Sequence, residues 1–364
     1  MRQKMTIMLL PVGLKCNLSC KYCYHGVMSK KLKELEVMSD SILERIICES
    51  SLFASDIDFL WHGGEPILAG IDHFKRAIEF QKQNALTDSK INGRIRNVIQ
   101  SNLTLLTKEL CDFFAENNFI LSTSIDGYQE AHDANRVYFN GLGTYARVIE
   151  SVSMWRNKGK SIGAVSLVTK ASVEQPIKFF EQLKNSGITS CNFHFCAQDE
   201  SRSIETIPEK ESTARFFKTI FDLWMKDDNP DFPIRNFRNV LRTFCGGKPL
   251  DCHSNVEGCF GFIAVTVNGD VYPCHRYVGR ENFCIGNVLE TSLIDIYNNS
   301  NAVYREFFSL GQECRICEWL NVCGGGCALE RFTAKGSFEV PDPDCLLKKE
   351  LFEYIKNKAG YLFE

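Results

Sequence analysis

The stretch Cys16-Asn17-Leu18-Ser19-Cys20-Lys21-Tyr22-Cys23 places three cysteines within one short loop. Three thiolates in such a loop can ligate three irons of a [4Fe-4S] cluster, and the fourth iron stays open because the next cysteine is Cys48. An open iron can bind a small molecule, so the pattern predicts a catalytic cluster rather than a purely electron-carrying one. The alternatives are incidental cysteines or a zinc site, but His25 is too close to Cys23 to complete an unstrained tetrahedron.

This cysteine spacing resembles the signature of the radical S-adenosylmethionine (SAM) enzymes. In that family the open iron binds the amine and carboxylate of SAM, and reductive cleavage of SAM releases a 5′-deoxyadenosyl radical. Tyr24 follows the third cysteine, where the family usually has an aromatic residue, and Tyr22 lies inside the loop. The resemblance implies that Cys16, Cys20 and Cys23 hold the cluster and that Tyr22 contributes to the SAM site.

The composition agrees with a metal-binding protein of a reducing compartment. The chain has 364 residues, a formal net charge of −3 and 17 cysteines. This charge offers no bulk attraction to nucleic acid or to an anionic membrane. We find no secretory signal, because the apolar run 6–14 is short and leads directly into the cysteine loop. No stretch approaches the ~20 apolar residues of a membrane span. We therefore predict a cytoplasmic protein with metal-bound thiolates.

Short apolar runs alternate with amphipathic stretches over residues 1–212, which predicts an α/β domain with a parallel sheet. Six β/α repeats form an open partial (β/α)6 TIM barrel, the fold of the family that the chain resembles. The active site of such a barrel lies at the carboxyl ends of its strands. The predicted strands are Thr6–Val12, Ile57–Trp61, Ile95–Gln100, Ile120–Ser124, Ile162–Val168 and Cys191–Cys196.

The rest of the chain divides into a predicted helical bridge over residues 213–244 and a small iron–sulfur domain over residues 245–364. The bridge places Phe216, Phe217, Ile220, Phe221 and Trp224 on one helical face, a pattern typical of core packing. Within the last part we expect a β-hairpin with its turn at Asn268-Gly269, followed by helices that include a C-terminal one.

A second cysteine array occupies this C-terminal part. It consists of Cys259, Cys274, Cys314, Cys317, Cys323, Cys327 and Cys345. Pairs two residues apart with a nearby third ligand are used by iron–sulfur clusters and by zinc sites, so a zinc ribbon is the alternative. The array, together with Gly269, resembles the SPASM domain, an auxiliary-cluster extension of peptide- and protein-modifying radical SAM enzymes.

Seven cysteines cannot complete two four-ligand clusters, so an eighth is expected upstream, and Cys252 and Cys245 are the candidates. We prefer Cys252, because relatives with two complete clusters place this ligand a few residues before the hairpin. The resemblance implies three [4Fe-4S] clusters in all. It assigns Cys252, Cys259, Cys274 and Cys327 to the first auxiliary cluster, and Cys314, Cys317, Cys323 and Cys345 to the second.

Polar residues at the predicted strand ends form the rest of the candidate SAM site. Gly63-Gly64-Glu65-Pro66 follows the second strand and matches the family motif that holds the SAM amine, where glycines allow close backbone approach. The resemblance extends the SAM contacts to Gln100, Asn102, Ser124, Asp126 and Arg136, the last as a bidentate partner of the SAM carboxylate. The alternative for each is a turn or capping residue.

The chain resembles the anaerobic sulfatase-maturating enzymes over essentially residues 5–350, with two departures. His275 stands where those enzymes have an aspartate proposed as a catalytic base, and Leu103 stands where a glycine is usual. A histidine can also accept a proton near neutral pH. We therefore predict a sister activity in which His275 is catalytic; the alternative is that His275 only hydrogen-bonds a cluster sulfur or the backbone. This activity is an oxidative carbon–carbon or thioether cross-link in a ribosomally made precursor peptide, a RiPP maturase function.

Two other functions stay open at this point. One is formylglycine formation on a sulfatase, and the other is a non-catalytic iron–sulfur electron carrier. The expected partners are the precursor peptide or protein, an electron donor such as flavodoxin or ferredoxin, and neither nucleic acid nor membrane. Because the cysteine loop begins at residue 16, we expect either a separate leader-recognition protein or direct reading of the substrate by the barrel mouth.

Overall fold

Strands and helices alternate along the first two hundred residues, as the apolar periodicity predicts. The computed structural model describes residues 2–25, 36–50, 54–87, 95–196 and 204–360. The strands are β1 (Arg2–Leu9), β2 (Ala54–Trp61), β3 (Ile95–Ser101), β4 (Ile120–Ser124), β5 (Ile162–Val168), β6 (Ser190–Phe195), β7 (Phe262–Val265), β8 (Asp270–Tyr272) and β9 (Gly286–Asn287).

The helices of the first 250 residues are α1 (Asp40–Ser50), α2 (Ile71–Thr87), α3 (Lys108–Glu116), α4 (Gln129–Asp133), α5 (Tyr145–Arg156), α6 (Pro176–Asn185), α7 (Lys210–Asp227) and α8 (Arg235–Phe244). The later helices are α9 (Leu293–Asn299), α10 (Asn301–Phe307), α11 (Gln312–Arg315), α12 (Leu320–Cys323), α13 (Ala328–Lys335) and α14 (Cys345–Ala359).

Two compact units divide the chain. The first comprises Met1–Asn17, Val27–Ser122 and Cys259–Glu306, and its strands follow the order β3-β2-β1-β7-β8-β9. Strand β1 pairs in parallel with both β2 and β7, with Met5 opposite Ile57 and Thr6 opposite Phe262. Residues 7–9 of β1 and the following residues 10–14 are all buried, as expected for a strand that is covered on both faces.

The second unit comprises Leu18–Gly26, Thr123–Gly258 and Phe307–Glu364. Here β5 and β6 pair in parallel, with Gly163 opposite Ser190. Edge-to-face aromatic contacts tie α6 to α7, because the Phe179 and Phe216 rings lie 5.1 Å apart. Helix α7 also packs against α14, so this unit has its own aromatic core.

The structure confirms most predicted elements and changes some boundaries. Strand β1 ends at Leu9 rather than at Val12, because Pro11 begins a turn in which the Gly13 amide donates to the Leu10 carbonyl. The hairpin is confirmed: β7 and β8 pair antiparallel, and Gly269 in the turn has a φ of +89°. The first six strands otherwise match to within a few residues.

The stretch predicted as a helical bridge is two helices, α7 and α8. Asp228 ends α7 in the left-handed region, with a φ of 44°, and Pro230 and Pro233 prevent continuation of the helix. The apolar face of α7 is buried as predicted. The division into ranges 1–212, 213–244 and 245–364 stays a prediction. Among the described residues, no helix combines the length and the apolar character needed to cross a membrane.

Candidate functional site

The Gly63-Gly64 turn after β2 lies directly against the backbone that leads into the cysteine loop. The Gly64 amide donates to the Gly13 carbonyl at 3.0 Å, and the Glu65 amide donates to the Lys15 carbonyl at 2.8 Å. A Cβ at position 64 would lie 1.9 Å from the Lys15 oxygen, and Gly63 has a φ of +106°. Both positions therefore require glycine, and the turn fixes the chain just ahead of Cys16.

Glu65 points its carboxylate into the interior, where it is 1% exposed. The carboxylate accepts hydrogen bonds from the Ser101 hydroxyl at 2.7 Å, the Asn102 amide at 2.8 Å and the Ile67 amide at 3.1 Å. Burial raises the pKa of Glu65 to about 7, and the three donors oppose this rise. A cationic ligand group would stabilise the ionised carboxylate, so Glu65 can bind an ammonium.

Asn102, which follows β3, connects the Glu65 turn to the first cysteine. Its side-chain amide donates to Cys16 Sγ at 3.7 Å and to Asn17 Oδ1 at 3.0 Å. Thr104 donates to Asn102 Oδ1 at 2.7 Å and accepts from Asn17 Nδ2 at 2.8 Å. Asn17 and Thr104 were not predicted from the sequence, although polar residues beside a cysteine ligand and beside a strand end are a usable signal.

Asp126, Arg136 and Tyr22 form a buried polar cluster in the second unit. Arg136 donates to both Asp126 oxygens, at 2.9 and 3.2 Å, and the Tyr22 hydroxyl donates to the same carboxylate. The guanidinium carbon lies 5.1 Å from the Tyr22 ring centre. Burial disfavours the Asp126 anion, but Arg136 outweighs it and holds the Asp126 pKa below its ordinary value. Arg136 also opposes the effect of burial, which raises the pKa of the Cys20 thiol to about 12.

His275 follows β8 and lies in the first unit beside His62, which follows β2. The two imidazole rings stack with centroids 4.3 Å apart and planes tilted by 31°. His275 Nδ1 lies 3.5 Å from Cys274 Sγ and 3.0 Å from Met8 Sδ. Burial lowers the pKa of His62 to about 4, so this ring is neutral near pH 7. His62 was not predicted from the sequence. Its signal was its position after a strand, which it shares with His275.

Four cysteines of the second unit line one pocket: Cys314, Cys317, Cys323 and Cys345. Trp319, Lys348 and Lys349 line it as well. The Lys348 ammonium pairs with buried Asp342 at 2.7 Å. Four thiols around one pocket fit the ligand set of a four-thiolate [4Fe-4S] cluster. The charged residues of the lining are Lys348, Lys349, Glu313 and Asp342.

Cys252 begins a short helical turn, Cys252–Ser254, and its loop folds back on itself. A Cβ on Gly258 would lie 2.2 Å from the Cys252 carbonyl oxygen, so this backbone passes directly against the residue before Cys259. A Cβ on Gly324 would lie 2.3 Å from the Ser254 carbonyl carbon, so the same loop rests on the residue after Cys323. Cys245 lies at the end of α8, and both Cys245 and Cys252 are exposed.

The remaining predicted site residues fall at the ends of elements. Gln100 and Ser124 are half-buried near the ends of β3 and β4, and Pro66 is buried at the start of the helical turn Pro66–Ala69. Cys20, Cys23, Cys259, Cys274 and Cys327 are half-buried. Their assignment as ligands stays a prediction.

A family model described as the Radical SAM superfamily matches residues 10–207, more than half of the chain. This chain belongs to the radical SAM superfamily. A second model, described as an iron–sulfur cluster-binding domain (SPASM), matches residues 257–323 of this radical SAM protein. These domains imply [4Fe-4S] clusters and SAM as cofactors.

Two curated relatives match the protein along nearly its whole length. A serine-type anaerobic sulfatase-maturating enzyme of Bacteroides thetaiotaomicron is 31% identical, over 98% of this chain and 90% of its own. A cysteine-type anaerobic sulfatase-maturating enzyme of Clostridium perfringens is 28% identical, over 96% of both chains. A solved structure of anSMEcpe with bound AdoMet and the Kp18Cys peptide has a TM-score of 0.86 at 26% identity and covers 98% of each chain. The α/β partial barrel followed by a SPASM domain is thereby confirmed.

The prediction of a peptide cross-linking enzyme is wrong. The full-length relatives are sulfatase-maturating enzymes, which the sequence analysis had given as the alternative. Of the two residues that suggested a sister activity, Leu103 has a left-handed φ of 58°, a conformation that glycine adopts readily, and His275 Nδ1 lies 3.5 Å from Cys274 Sγ.

Proposed function

We propose that this protein oxidises a cysteine or serine side chain of a sulfatase polypeptide to formylglycine. The observation that carries the proposal is the match to sulfatase-maturating enzymes of both types over at least 96% of this chain. Formylglycine formation from serine removes two electrons and two protons as the C–O single bond becomes a carbonyl. From cysteine the same oxidation gives a thioaldehyde, which then exchanges sulfur for the oxygen of water and releases hydrogen sulfide.

Cys16, Cys20 and Cys23 are the proposed ligands of the cluster that binds SAM. When bound there, SAM supplies the radical that abstracts hydrogen from the substrate carbon. Glu65 is the proposed partner of the SAM ammonium, because its carboxylate is buried and its position is set by Ser101 and Asn102. Asn102 in turn contacts Cys16, so the binding of the ammonium and the orientation of the cluster loop depend on one hydrogen-bond network.

Arg136 has a different role in this proposal from the one that the resemblance implies, because two of its donors are used by Asp126. The pair places a cation beside Cys20 while the Asp126 carboxylate also binds Tyr22 and the Leu167 amide. We therefore assign Tyr22, Asp126 and Arg136 to positioning the cysteine loop. Gln100 and Ser124 remain candidates for direct SAM contact near the ends of their strands.

The auxiliary clusters are proposed with the ligand sets of the family. Cys314, Cys317, Cys323 and Cys345 hold the second one, in support of which all four line one pocket. Cys252, Cys259, Cys274 and Cys327 hold the first one. Support for Cys252 over Cys245 comes from the close packing of its loop against the residue before Cys259. Clusters held there would supply an acceptor for the electron that the substrate carbon gives up.

His275 is the proposed acceptor of the substrate proton. It adjoins the proposed ligand Cys274, and the stacked His62 ring fixes its orientation. Both are half-buried at strand ends, where the active sites of barrels of this type are found. The proposed electron donor for SAM cleavage is flavodoxin or ferredoxin, and the abundance of thiols supports a reducing cytoplasm as the compartment.

The test is anaerobic incubation of the reconstituted protein with SAM, a reductant and sulfatase-derived peptides that carry cysteine or serine at the modified position. We expect SAM cleavage and conversion of at least one peptide to formylglycine, detected by mass spectrometry and by hydrazine trapping of the aldehyde. The triple variant Cys16→Ala/Cys20→Ala/Cys23→Ala is the matched control and should make neither product. Cleavage of SAM without an aldehyde in either peptide would overturn the proposal.

A further inference from the structure

Helix α8 presents a row of arginines to solvent. Arg235, Arg238 and Arg242 are exposed and recur every three or four residues, so they lie on one face over about 10 Å of helix. In the described part of the chain, no salt bridge involves any of the three, and Arg242 Nε donates to the Lys248 carbonyl. Three exposed cations on one helical face, with no salt bridge to another described residue, make this a positive surface.

The segment that follows α8 adds further exposed residues to this surface. The Gly247 amide donates to the Arg242 carbonyl, and the Leu250 amide donates to Asn239 Oδ1 at 2.6 Å, so residues 247–250 run back along the helix. Lys248 is exposed there, and the Leu250 side chain is 72% exposed. We call Arg235, Arg238, Arg242 and Lys248, with Leu250 among them, the α8 basic face.

Aromatic side chains connect this helix with the four-cysteine pocket. Phe244, the last residue of α8, has its ring centre 6.1 Å from that of Trp319. Trp319 itself lines the pocket of Cys314, Cys317, Cys323 and Cys345. The Lys356 ammonium lies 5.4 Å from the Trp319 ring centre, which places one more cation beside it. One half-buried aromatic pair thus lies between the α8 basic face and the pocket.

We propose that the α8 basic face is the docking surface for an acidic ferredoxin that exchanges single electrons with the second auxiliary cluster. This inference rests on the proposed function, in which the substrate radical loses one electron and one proton as the carbonyl or thiocarbonyl forms. That electron leaves through the pocket and reduces the docked oxidised ferredoxin. Charge complementarity selects the partner, since four cations attract an acidic carrier and the exposed Leu250 supplies an apolar contact beside them.

The experiment measures the binding of a purified acidic ferredoxin to the cluster-loaded protein by calorimetry at several salt concentrations. Arg235→Glu/Arg238→Glu should weaken binding at low salt by at least ~10-fold and flatten its salt dependence. The matched control Lys75→Glu/Lys82→Glu makes the same change in net charge on α2 and should bind as the parent does. Iron content and thermal unfolding establish that both variants are folded and loaded.

A second readout is the rate at which oxidised ferredoxin takes electrons from the reduced protein, followed by stopped-flow absorbance without any peptide. In the Arg235→Glu/Arg238→Glu variant this rate should fall together with the affinity for ferredoxin. Electron transfer to the small mediator benzyl viologen should be the same in this variant and in the control variant. If both double variants weakened ferredoxin binding and electron transfer equally, or if neither did, the proposed docking surface would be wrong. It would also be wrong if the surface bound flavodoxin selectively instead of ferredoxin. Because no sulfatase peptide is present, failure here is distinct from failure to form formylglycine.

Discussion

At the scale of single residues, His275 is the position where this chain departs from the resemblance with most chemical consequence. The aspartate expected there is replaced by an imidazole that stacks on His62 and adjoins Cys274. Both an aspartate and a histidine can accept a proton, so the replacement is compatible with the proposed reaction. The imidazole of His275 is a longer side chain than an aspartate, and it stacks on the neighbouring His62 ring.

His275→Ala should still cleave SAM, because radical generation needs only the first cluster. Formylglycine formation should fall by ~100- to 10,000-fold, the usual effect of removing a positioned base. The ratio of formylglycine to deoxyadenosine, measured by mass spectrometry and chromatography, separates the two steps. His275→Asp is the conservative counterpart and should retain most of the product. A normal product rate in His275→Ala with intact clusters would show that the imidazole has no catalytic role.

Glu65 gives the protein a predictable dependence on pH. Burial raises its pKa from 4.5 to about 7, so between these values the folded protein keeps a proton that the unfolded chain has lost. Stability without SAM should therefore fall as the pH rises through this window, by about 3 kcal/mol at most, and level off above it. Denaturant unfolding at a series of pH values across the window, expressed as the free energy of unfolding, measures it.

Glu65→Gln should remove this slope, because the amide does not ionise. The same substitution at exposed Glu116 is the control and should leave the slope unchanged. Stability that rises with pH in the parent protein, or a slope that persists in Glu65→Gln, would contradict the assignment to this carboxyl group.

At the scale of elements, the site is built where strands end and the backbone must pass close to itself. The turn after β2 contacts the segment after β1, and the end of β3 contacts both through Asn102. Parallel pairing brings these ends together, since β1, β2 and β3 are neighbours in the first unit. Such a contact has no space for an additional methyl group, because the two backbone segments are already closely packed.

Gly64→Ala tests this close approach. The new Cβ would lie 1.9 Å from the Lys15 oxygen, so the turn and the segment before Cys16 must separate. We expect SAM affinity to fall at least ~10-fold, because a loss of about 1.4 kcal/mol in binding is already tenfold. Equilibrium dialysis with labelled SAM measures it. Gly261→Ala is the control, since no atom lies within 4 Å of its Cβ position and its φ is ordinary. Unchanged SAM binding in Gly64→Ala would show that the turn does not position the site.

At the scale of the whole molecule, the count of clusters follows from how the eleven proposed cysteine ligands are shared among them. Three [4Fe-4S] clusters give about twelve irons per chain. Anaerobic reconstitution followed by iron, sulfide and zinc analysis should find about twelve irons and negligible zinc. The triple variant of Cys16, Cys20 and Cys23 should retain about eight. About four irons with bound zinc would contradict the auxiliary clusters.

The eighth auxiliary ligand can be tested in the same assay. Cys252→Ala should lower the iron content or alter the electron paramagnetic resonance spectrum, because its loop packs against the residue before Cys259. Cys245→Ala, at the exposed end of α8, is the matched control and should leave both unchanged. The reverse pattern would assign the ligand to Cys245.

The sequence by itself determined the chemistry that depends on residue type and short spacing. Three cysteines in one loop, the Gly-Gly-Glu-Pro turn and the later cysteine array established the cofactor class, and alternating periodicity placed the first six strands. These features are local, because the period of a strand and the ligands of one loop are set by neighbouring residues. The sequence did not determine the product. His275 and Leu103 depart from the pattern of the sulfatase-maturating enzymes, and these two departures led to the prediction of a cross-linking enzyme although the resemblance covered nearly the whole chain.

Only the tertiary structure decided which distant side chains share an environment. Asn102 contacts Cys16 and Asn17, His62 stacks on His275, and Arg136 is paired with Asp126. Four thiols from positions 314 to 345 line one pocket, and the Phe244 ring adjoins Trp319 in the lining of that pocket. Such contacts depend on strand pairing and core packing between segments far apart in the chain, and neither periodicity nor spacing encodes which of many polar residues will meet.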